Sequence, residues 1–328
     1  MELANTHVKS AGRFTTGLFF IFILNYFPPP AKVLASDSTA VNYKFGKTFL
    51  LDITKNKNNL ISVGERGLVF RSNNEGKSWK CVQVKNKPTL TSVVFLNNKT
   101  AIAVGHKGTV YRTENSGMEF TQVNVPKLNN EDSLLRVRVV DDNHIVIVGA
   151  WGLFLESTDN GKTWKKQQII SPEFDWHLYD VIKSSFGLIV VGEAGTVILR
   201  KPKEESWEKI DSKYKGSYFG IVKGKKDSFF LYGMRGNIFE FYNSSNNAEP
   251  SKYIWRNLKT NSITTWTSAL ALKNDSLLFF GDGGIVGKKT NLFSQIIAPL
   301  KIVNAGVELN NGSVYLVGLN GGFVLNQK

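Results

Sequence analysis

The sequence predicts an all-β fold, a seven-bladed β-propeller in which an N-terminal strand closes the last blade. Three observations support this prediction. A glycine-containing phrase recurs seven times along the chain. Each copy lies among short segments rich in β-branched and aromatic residues, which is typical of strands. The copies recur at intervals of about 40 residues, the length of a four-stranded propeller blade.

The recurring phrase is an apolar run, the pattern G-x-x-G and a second apolar run. Its first glycines are separated by 41, 44, 43, 41, 48 and 37 residues. We predict that each phrase forms the hairpin between the second and third strands of a blade. The expected turn is type I, with a left-handed second glycine and two middle residues that are free to vary. The glycine pairs are Gly64 and Gly67, Gly105 and Gly108, Gly149 and Gly152, Gly192 and Gly195, Gly233 and Gly236, Gly281 and Gly284, and Gly318 and Gly321.

The next hairpin of each blade is predicted from "STDNGKTW", which matches the Asp-box pattern S-x-D-x-G-x-T-W. Its aspartate can accept hydrogen bonds from turn amides, its glycine can adopt a positive φ, and its tryptophan can fold back over the turn. "SNNEGKSW" and "TENSGMEF" are weaker copies with Asn at the Asp position. We interpret these hairpins as structural; a carbohydrate or calcium contact is the alternative. The residues assigned to them are Ser157, Asp159, Gly161 and Trp164, with Gly76, Trp79, Gly117 and Phe120 in the weaker copies.

The two ends of the repeat array complement each other. The seventh repeat ends with its third strand, "GGFVLNQ", and therefore lacks an outer strand. The strand-like segment Thr39–Phe45 precedes the first repeat and is not assigned to it. Pairing this segment with the last blade would close the ring and cover the exposed sheet edges.

Residues 1–35 have the form of a secretory signal peptide. Lys9 and Arg13 precede the apolar run Gly17–Leu24, and the small residues Val33 and Ala35 suit cleavage after Ala35. The apolar run is short for a membrane span, although an uncleaved anchor is the alternative. We therefore expect an exported protein, in the periplasm or in the thylakoid lumen of a phototroph. Residues 36–328 are expected to form the single propeller.

Composition narrows the classes of function. Cys81 is the only cysteine, so the chain can form no internal disulfide, Cys-rich zinc site or CxxC redox motif. The formal net charge is +14, which is compatible with acidic proteins, polyanions or an anionic membrane surface as partners. The many Lys and Asn residues are better interpreted as a genome-wide bias in composition. Lysine is much commoner than arginine, and no basic stripe alternates with aromatic residues. We therefore expect no nucleic-acid partner.

The chain resembles the photosystem II stability/assembly factor family. The resemblance rests on the signal peptide and on seven degenerate copies of the phrase "VG-x-x-G-x-V/I-x-x-T/S-x-D/N-x-G-x-x-W", and it covers residues 39–328. It implies an exported seven-bladed propeller. Family members in phototrophs are non-catalytic assembly factors that hold a membrane-protein subunit while a complex is built. This chain has no Cys after the apolar run, whereas the cyanobacterial members have a lipobox Cys.

Asp-boxes also occur in sialidases and other glycosidases, which makes a carbohydrate-active enzyme or lectin the alternative. A sialidase needs three arginines around a carboxylate and a Tyr activated by a Glu, and no such set is evident. Asp52, Asp180 and Asp282 are the candidate carboxylates for another glycosidase. However, Asp52 and Asp180 fall in matching slots of two inner strands, which favours a structural role at a crowded axis. The other blades place Ser92, Arg136, Gly220, Ser268 and Gly306 in this slot.

No metal or cofactor site is predicted. The histidines, His7, His106, His144 and His177, share no metal-ligand spacing. HExxH, GxSxG and P-loop motifs do not occur. We therefore expect no catalytic residue, no cofactor and no metal.

Partner binding is expected on one rim of the ring. Strand direction alternates across a blade, so the G-x-x-G turns share a rim with the blade-to-blade connections, while the Asp-boxes lie on the other. Variable turn residues on a constant frame are typical of a recognition face, and exposed Trp and Arg are favoured interface anchors. The predicted partner-binding residues are Arg66, Lys107, Arg136, Trp151, Trp176 and Arg235.

We expect a non-enzymatic, monomeric propeller that binds a protein, most simply a membrane protein or a subunit of a membrane complex. Peripheral contact with a membrane surface is compatible with its charge. A structural module within a larger envelope machine is a further alternative, and cross-linking with co-purification would separate it from an assembly factor.

Overall fold

The computed structural model describes residues 44–212, 214–244, 253–290 and 293–326. In these residues, 27 strands form seven antiparallel sheets, six of four strands and one of three. Within each sheet the strands follow one another in chain order. The first strands of consecutive sheets contact each other, and the first strand of the first sheet contacts that of the seventh. The sheets are therefore the blades of a closed ring, which confirms the predicted seven-bladed propeller.

The strands of the first four blades are as follows: blade 1, β1 (Leu50–Asn56), β2 (Asn59–Gly64), β3 (Leu68–Ser72) and β4 (Lys80–Gln83); blade 2, β5 (Leu90–Phe95), β6 (Ala101–Gly105), β7 (Thr109–Thr113) and β8 (Thr121–Val123); blade 3, β9 (Leu134–Asp141), β10 (His144–Gly149), β11 (Phe154–Ser157) and β12 (Lys165–Gln167); blade 4, β13 (Leu178–Ser184), β14 (Gly187–Gly192), β15 (Val197–Arg200) and β16 (Glu208–Lys209).

The strands of the last three blades are as follows: blade 5, β17 (Tyr218–Lys223), β18 (Phe229–Gly233), β19 (Ile238–Asn243) and β20 (Tyr253–Asn257); blade 6, β21 (Trp266–Ala271), β22 (Leu277–Gly281), β23 (Ile285–Lys289) and β24 (Phe293–Ile297); blade 7, β25 (Val303–Glu308), β26 (Val314–Gly318) and β27 (Gly321–Leu325). Helical structure in the described residues is limited to three-residue 3₁₀ turns, so none has the roughly 20 residues that a membrane-spanning helix needs.

The hydrophobic core is divided among the spaces between blades. Successive side chains of a strand point to opposite faces of the sheet, so each blade presents apolar residues to both neighbours. Ile61 of blade 1, for example, packs with Val93 and Tyr111 of blade 2. Burying a large apolar side chain stabilises a fold by about 1.5–3 kcal/mol. The blades are therefore held together mainly by apolar packing.

Each innermost strand carries a β-bulge at the same place. In blade 1 the pairing passes from Leu50 opposite Gly64 directly to Asp52 opposite Val63, and the same irregularity occurs in the other six blades. The bulge places one residue of each blade in an equivalent slot at the axis. These slot residues are Asp52, Ser92, Arg136, Asp180, Gly220, Ser268 and Ala305.

The prediction of Gly306 in the seventh slot is wrong. Gly306 lies opposite Leu316, and the slot residue is its neighbour Ala305, opposite Val317. The slot precedes the first glycine of the phrase by 12 residues in blade 1 and by 13 in blade 7, because the first hairpins differ in length. Counting back from the glycine therefore errs by one residue.

Part of the predicted N-terminal closure lies outside the described residues. The signal peptide, residues 1–35, and residues 39–43 of the closing strand are among them, so both stay predictions. The described residues begin with a 3₁₀ turn at Phe45–Lys47, which contacts the last strand of blade 7. Phe45 stacks on Trp79 with ring centroids 4.4 Å apart, and the Gly321 amide donates to the Thr48 carbonyl oxygen at 2.9 Å. The first described residues therefore lie beside both blade 1 and the last strand of blade 7.

The full Asp-box is a hydrogen-bonded turn. The Asp159 carboxylate accepts bonds from the Lys162 and Thr163 amides at 3.0 and 2.9 Å and from the Thr163 hydroxyl at 2.7 Å. The Ser157 hydroxyl accepts from the Gly161 amide at 2.9 Å. Gly161 has φ +74°, and Trp164 Nε1 donates to its carbonyl oxygen at 3.2 Å.

The Asn-containing copies keep the same scheme with an amide oxygen as the acceptor. In blade 1 the Ser78 amide donates to Asn74 Oδ1 at 3.0 Å, and in blade 2 the Glu119 amide donates to Asn115 Oδ1 at 3.0 Å. The box glycines also approach the preceding blade closely. A Cβ on Gly76 would lie 2.3 Å from the Tyr315 ring of blade 7. The Asp-boxes therefore contribute to packing between blades.

Gly76→Ala is expected to lower the free energy of unfolding by about 2–3 kcal/mol, because it adds a collision with a buried ring to the cost of a positive φ. Tyr315 has little room to move, since Trp79 Nε1 donates to its hydroxyl oxygen at 3.1 Å. Gly312→Ala is the matched control: φ is +83° at both glycines, but nothing lies within 4 Å of a Cβ at Gly312. The control should lose about 1 kcal/mol. Equal losses in urea unfolding would contradict the packing role.

Candidate functional site

The turns between second and third strands lie on one rim of the ring together with the blade connections, as the hydrogen bonds show. The Gly108 amide donates to the Asp132 carbonyl at 2.8 Å, and the Gly152 amide donates to the Trp176 carbonyl at 2.9 Å. We call this side the turn rim. The Asp-box hairpins instead contact the turns between first and second strands, where the Ser116 amide donates to the Lys99 carbonyl at 2.8 Å. We call that side the box rim.

The middle residues of the seven turns are not equally free to vary, which corrects the prediction made from sequence. The second middle residue has a left-handed backbone in every turn, as does the glycine that follows it. We call this residue the tip. The tips are Arg66 (φ 56°), Lys107 (61°), Trp151 (55°), Ala194 (51°), Arg235 (54°), Gly283 (68°) and Asn320 (70°).

A left-handed backbone is less stable by about 1 kcal/mol for a residue with a Cβ. Glycine and asparagine adopt it most easily. Blades 6 and 7 use Gly and Asn at the tip, but blades 1, 2, 3 and 5 place Arg, Lys, Trp and Arg there. These four side chains therefore occupy backbone positions that would be more stable with glycine. The box rim also has left-handed residues, such as Lys57 and Lys226, so the distinguishing feature of the tips is that exposed Arg, Lys and Trp side chains stand on one rim.

Three of the predicted partner-binding residues stand on separate turns. Arg66, Lys107 and Arg235 are exposed at the tips of blades 1, 2 and 5. Arg66 is held at its backbone, because Gln83 Nε2 donates to its carbonyl oxygen at 2.9 Å. Its guanidinium stays 45% exposed, 4.0 Å from Glu65. The backbone is thus fixed while the charged group remains accessible.

The structure brings the two predicted tryptophans together at the boundary of blades 3 and 4. Trp151 is 65% exposed, and its ring meets the His177 ring edge-on at 4.6 Å. Its amide donates to His177 Nδ1 at 3.3 Å. Trp176 precedes this histidine and is 37% exposed, with Lys209 Nζ 5.3 Å from its ring. Trp151 thus has one supporting contact and a large free face.

Further aromatic rings continue this feature towards blade 5. His177 and Tyr179 have ring centroids 6.2 Å apart, and Tyr179 and Phe219 are 5.2 Å apart. We call Trp151, Trp176, His177, Tyr179 and Phe219 the aromatic arc. Sequence reasoning missed the last three. Tyr179 and Phe219 are the residues skipped by the bulges of β13 and β17, so their position becomes evident only once the register is known.

Charge is distributed unevenly along the turn rim. The turns and connections around blades 1 and 2 carry a group of exposed cations, which we call the basic arc. Its members are Lys44, Lys47, Arg66, Lys85, Lys87 and Lys107. The aromatic arc instead has acidic neighbours, with Glu193 Oε2 3.8 Å from His177 Nδ1. Burial and the Glu193 carboxylate raise the pKa of Tyr179, so this phenol is neutral at physiological pH.

Arg136 is apart from the other predicted partner-binding residues. It is the slot residue of β9, its side chain is only 12% exposed, and it lies at the axis rather than on the turn rim. Its Nη1 is 3.6 Å from Asp52 Oδ2, and its Nε is 3.9 Å from Asp180 Oδ1. Its position therefore does not place it on the surface of the turn rim.

The two slot aspartates bind strands of neighbouring blades. Asp52 accepts hydrogen bonds from the Ser92 hydroxyl at 2.7 Å and from the Val93 amide at 3.0 Å. Asp180 is fully buried and accepts two bonds from Arg138, from Nε and Nη2, each at 2.9 Å. Burial alone would raise the pKa of Asp180, but the Arg138 guanidinium, assisted by Arg136, lowers it.

Asp282, the third candidate carboxylate, is exposed at the turn of blade 6 and does not occupy an axial slot, which is held in that blade by Ser268. Among the described residues, no three His, Cys, Asp or Glu side chains are grouped as a metal site would require. The axis thus holds a paired network of charges that joins blades.

Comparison with known proteins gives one family-model match. The model described as sortilin, neurotensin receptor 3 (Sortilin-Vps10) matches residues 67–196, and it fits an Asp-box propeller. A curated relative is the photosystem II assembly lipoprotein Ycf48 of Prochlorococcus marinus. It is 46% identical over 46 residues, which is 14% of this chain and 14% of that protein.

Solved structures match over most of the chain. A structure described as YCF48 bound to D1 peptide has a TM-score of 0.68 at 13% identity, covering 88% of this chain and 99% of that one. YCF48 from Cyanidioschyzon merolae has a TM-score of 0.66 at 16% identity, covering 85% and 95%. Streptogramin B lyase has a TM-score of 0.70 at 11% identity, covering 88% and 96%, so the fold also serves an enzyme.

At these identities, the structural matches establish the fold, and the curated relative adds a local similarity in sequence. Together they confirm the resemblance predicted from the repeat phrase: this chain is a seven-bladed Asp-box propeller similar to Ycf48 of the photosystem II assembly factor family.

Proposed function

We propose that this protein is a non-catalytic, exported propeller that binds a protein partner on its turn rim and assists the assembly of a membrane protein complex. The observation that carries the proposal is the tip residues. Four of the seven tips hold Arg, Lys or Trp on a left-handed backbone, where glycine would be more stable. Partner binding would explain why these side chains occupy the tips, whereas folding does not require them.

The two arcs of the turn rim indicate the kind of partner. The basic arc suits acidic residues, and the aromatic arc offers large rings with little conformational entropy to lose. An extended segment of a membrane-protein subunit can present both kinds of residue along its length. The names of the similar proteins support this class of partner, since one is a photosystem II assembly lipoprotein and another is bound to a D1 peptide.

The alternative of a glycosidase or lectin is not favoured. A glycosidase needs one carboxylic acid that protonates the leaving group and a second carboxylate near it. Here Asp180 is paired with Arg138, and Asp52 accepts from Ser92 and from two backbone amides. Both carboxylates are therefore engaged in joining blades.

The proposal predicts that glycine at four tips removes partner capture while leaving stability within about 1 kcal/mol of the parent, because relief of backbone strain offsets the added freedom of the unfolded chain. The variant combines R66G, K107G, W151G and R235G. Capture is measured by cross-linking in the native host followed by quantification of co-purified membrane proteins. A loss of about tenfold or more is expected, since exposed Trp and Arg anchors dominate interface energies.

The matched control replaces left-handed residues of the box rim with glycine. It combines S116G, N143G, K226G and D275G, whose φ angles are 58°, 61°, 51° and 63°. Capture by this variant should equal that of the parent. Unchanged capture by the tip variant, or an equal loss in both, would contradict binding on the turn rim.

A further inference from the structure

The innermost strands enclose a cavity of about 400 Å³ at the axis, which we call the hub cavity. Its wall is formed by β1, β9, β21 and β25. Lys55, Lys57 and Glu308 line it at or just beyond the ends of β1 and β25, next to the turns of the box rim. The tips and the aromatic arc do not contribute to the wall, so the cavity is separate from the proposed partner site.

The acidic groups of the hub already have partners. Asp52 accepts three hydrogen bonds, from the Ile53 amide, the Ser92 hydroxyl and the Val93 amide. Asp180 accepts from Arg138 and from the Val181 amide. Glu308 accepts from the Lys273 amide at 2.8 Å. Asp52 and Asp180 therefore have little remaining capacity for another donor, whereas Glu308 keeps free acceptor positions.

Arg136, by contrast, has hydrogen-bond donors without acceptors in the part of the chain that the structure describes. Within the described residues its guanidinium donates no hydrogen bond, because the nearby carboxylate oxygens are 3.6 and 3.9 Å away. Its Nε is buried without a partner. A guanidinium carries five N–H donors, and leaving buried donors unmade costs free energy. Arg136 thus lines the cavity with hydrogen-bond donors that no acceptor in the described residues satisfies.

Charge and shape define what that acceptor can be. Four cationic side chains line the cavity, Lys55, Lys57, Arg136 and Arg138. Arg138 is paired with Asp180 and Lys55 with Glu75, which leaves Lys57 and Arg136 as the cations available to a ligand. The opposite wall includes the apolar side chains of Leu270, Ala305 and Val307. The space is within the range of small-molecule sites, about 300–1,000 Å³.

We propose that the hub cavity binds a carboxylate group that carries a small aliphatic body, with Arg136 as the residue that recognises it. The planar guanidinium matches the two oxygens of a carboxylate. Lys57 and the guanidinium of Arg136 attract the negative charge, and the apolar wall accepts the aliphatic part. The group can belong to a free carboxylic acid or to an acidic side chain of a peptide, which supply the same chemistry.

The test is a titration of the full mature chain with isobutyrate, followed by calorimetry and ligand-observed NMR. Isobutyramide, the neutral isostere, should bind about tenfold more weakly or not at all, since a charged hydrogen-bonded pair contributes about 1.5–3 kcal/mol. R136M should weaken isobutyrate binding by a similar factor. R256M, which removes an exposed arginine from the outer strand of blade 5, should bind isobutyrate as the parent does.

If R136M is unstable, two further measurements still test the proposal. K57Q changes an exposed residue at the cavity mouth and should weaken binding by about twofold, as expected for a solvent-exposed charge. An acetylated and amidated Ala-Glu-Ala peptide identifies the source of the carboxylate. Peptide binding that isobutyrate displaces supports the site with a peptide as its source, and isobutyrate binding alone supports it with a free acid. Binding of neither ligand, or equal binding of isobutyrate and isobutyramide, would overturn the proposal.

Discussion

Replacing Asp180 with alanine is expected to lower the free energy of unfolding by about 3–5 kcal/mol, because two charged hydrogen bonds are lost and the Val181 amide loses a fully buried acceptor. Asp180 is fully buried and makes two charged hydrogen bonds of 2.9 Å with Arg138. It also accepts from the Val181 amide at 2.9 Å. Urea unfolding followed by tryptophan fluorescence measures the loss, which is a large part of the roughly 5–15 kcal/mol typical of a folded domain.

A variant that removes both charges distinguishes the effect of an unpaired charge on stability from the effect of lost contacts. D180N with R138M removes both charges but keeps an acceptor for the backbone amide, so we expect it to stay within about 2 kcal/mol of the parent. Asp142→Ala changes an exposed aspartate and should shift stability by less than about 0.5 kcal/mol. If D180A were as stable as D142A, the structural role of the slot aspartate would be rejected.

Glu156 is expected to make the stability of the ring depend on pH. It lies at the boundary of blades 3 and 4, where it accepts from Arg200 at 3.0 Å and lies 2.9 Å from His144 Nε2. Burial opposes ionisation, but His144 and Arg200 outweigh it and lower the pKa of Glu156 from 4.5 to about 2. The folded-state pKa is depressed, so the stabilisation is present above about pH 4.5 and is lost as the pH falls towards 2.

The shift corresponds to about 3 kcal/mol at neutral pH. Unfolding free energies of the parent and Glu156→Gln should therefore differ by about this amount at pH 7 and converge as the pH falls towards 2. Glu114→Gln removes a fully exposed carboxylate beside Arg112 and is the control, with no measurable change. A difference between parent and E156Q that is constant from pH 7 to pH 2 would contradict the assignment.

The number and order of the blades could be predicted because they depend on local chemistry that repeats. Each hairpin needs a left-handed glycine, and Gly67, Gly108 and their equivalents mark it in the sequence. The Asp-box could be predicted for the same reason, since the hydrogen bonds of Asp159 stay within five residues. Features of this kind are encoded over a few consecutive positions.

Features that depend on register could be predicted less well. The bulge that shifts Asp52 and Ala305 into the axial slots leaves no mark in the sequence, and the hairpin beyond it varies in length. The space above Gly220 is filled by a neighbouring strand, since a Cβ there would lie 2.2 Å from the Tyr232 hydroxyl. A side chain of one strand that fills the space left by a glycine of the next strand is visible only in three dimensions.

The candidate site likewise combines features that local sequence predicts with features that only the structure shows. Turn tips such as Arg66 and Trp151 could be identified from the G-x-x-G spacing, although their left-handed backbone could not. The sequence places Arg136 both in an inner-strand slot and among the predicted partner-binding residues, and the bulge of β9 directs it to the axis. The aromatic arc joins Trp151 to Phe219 across three blades, so pairwise distances rather than sequence separation define it.

The most direct measurement of partner binding on the turn rim is amide hydrogen exchange of the chain alone and in its captured complex. Our account predicts slower exchange on binding in residues 64–68, 105–109 and 149–153 and in the connection 168–177, with unchanged exchange in the Asp-box hairpins 72–79, 113–120 and 157–164. Protection confined to the Asp-box hairpins would contradict it.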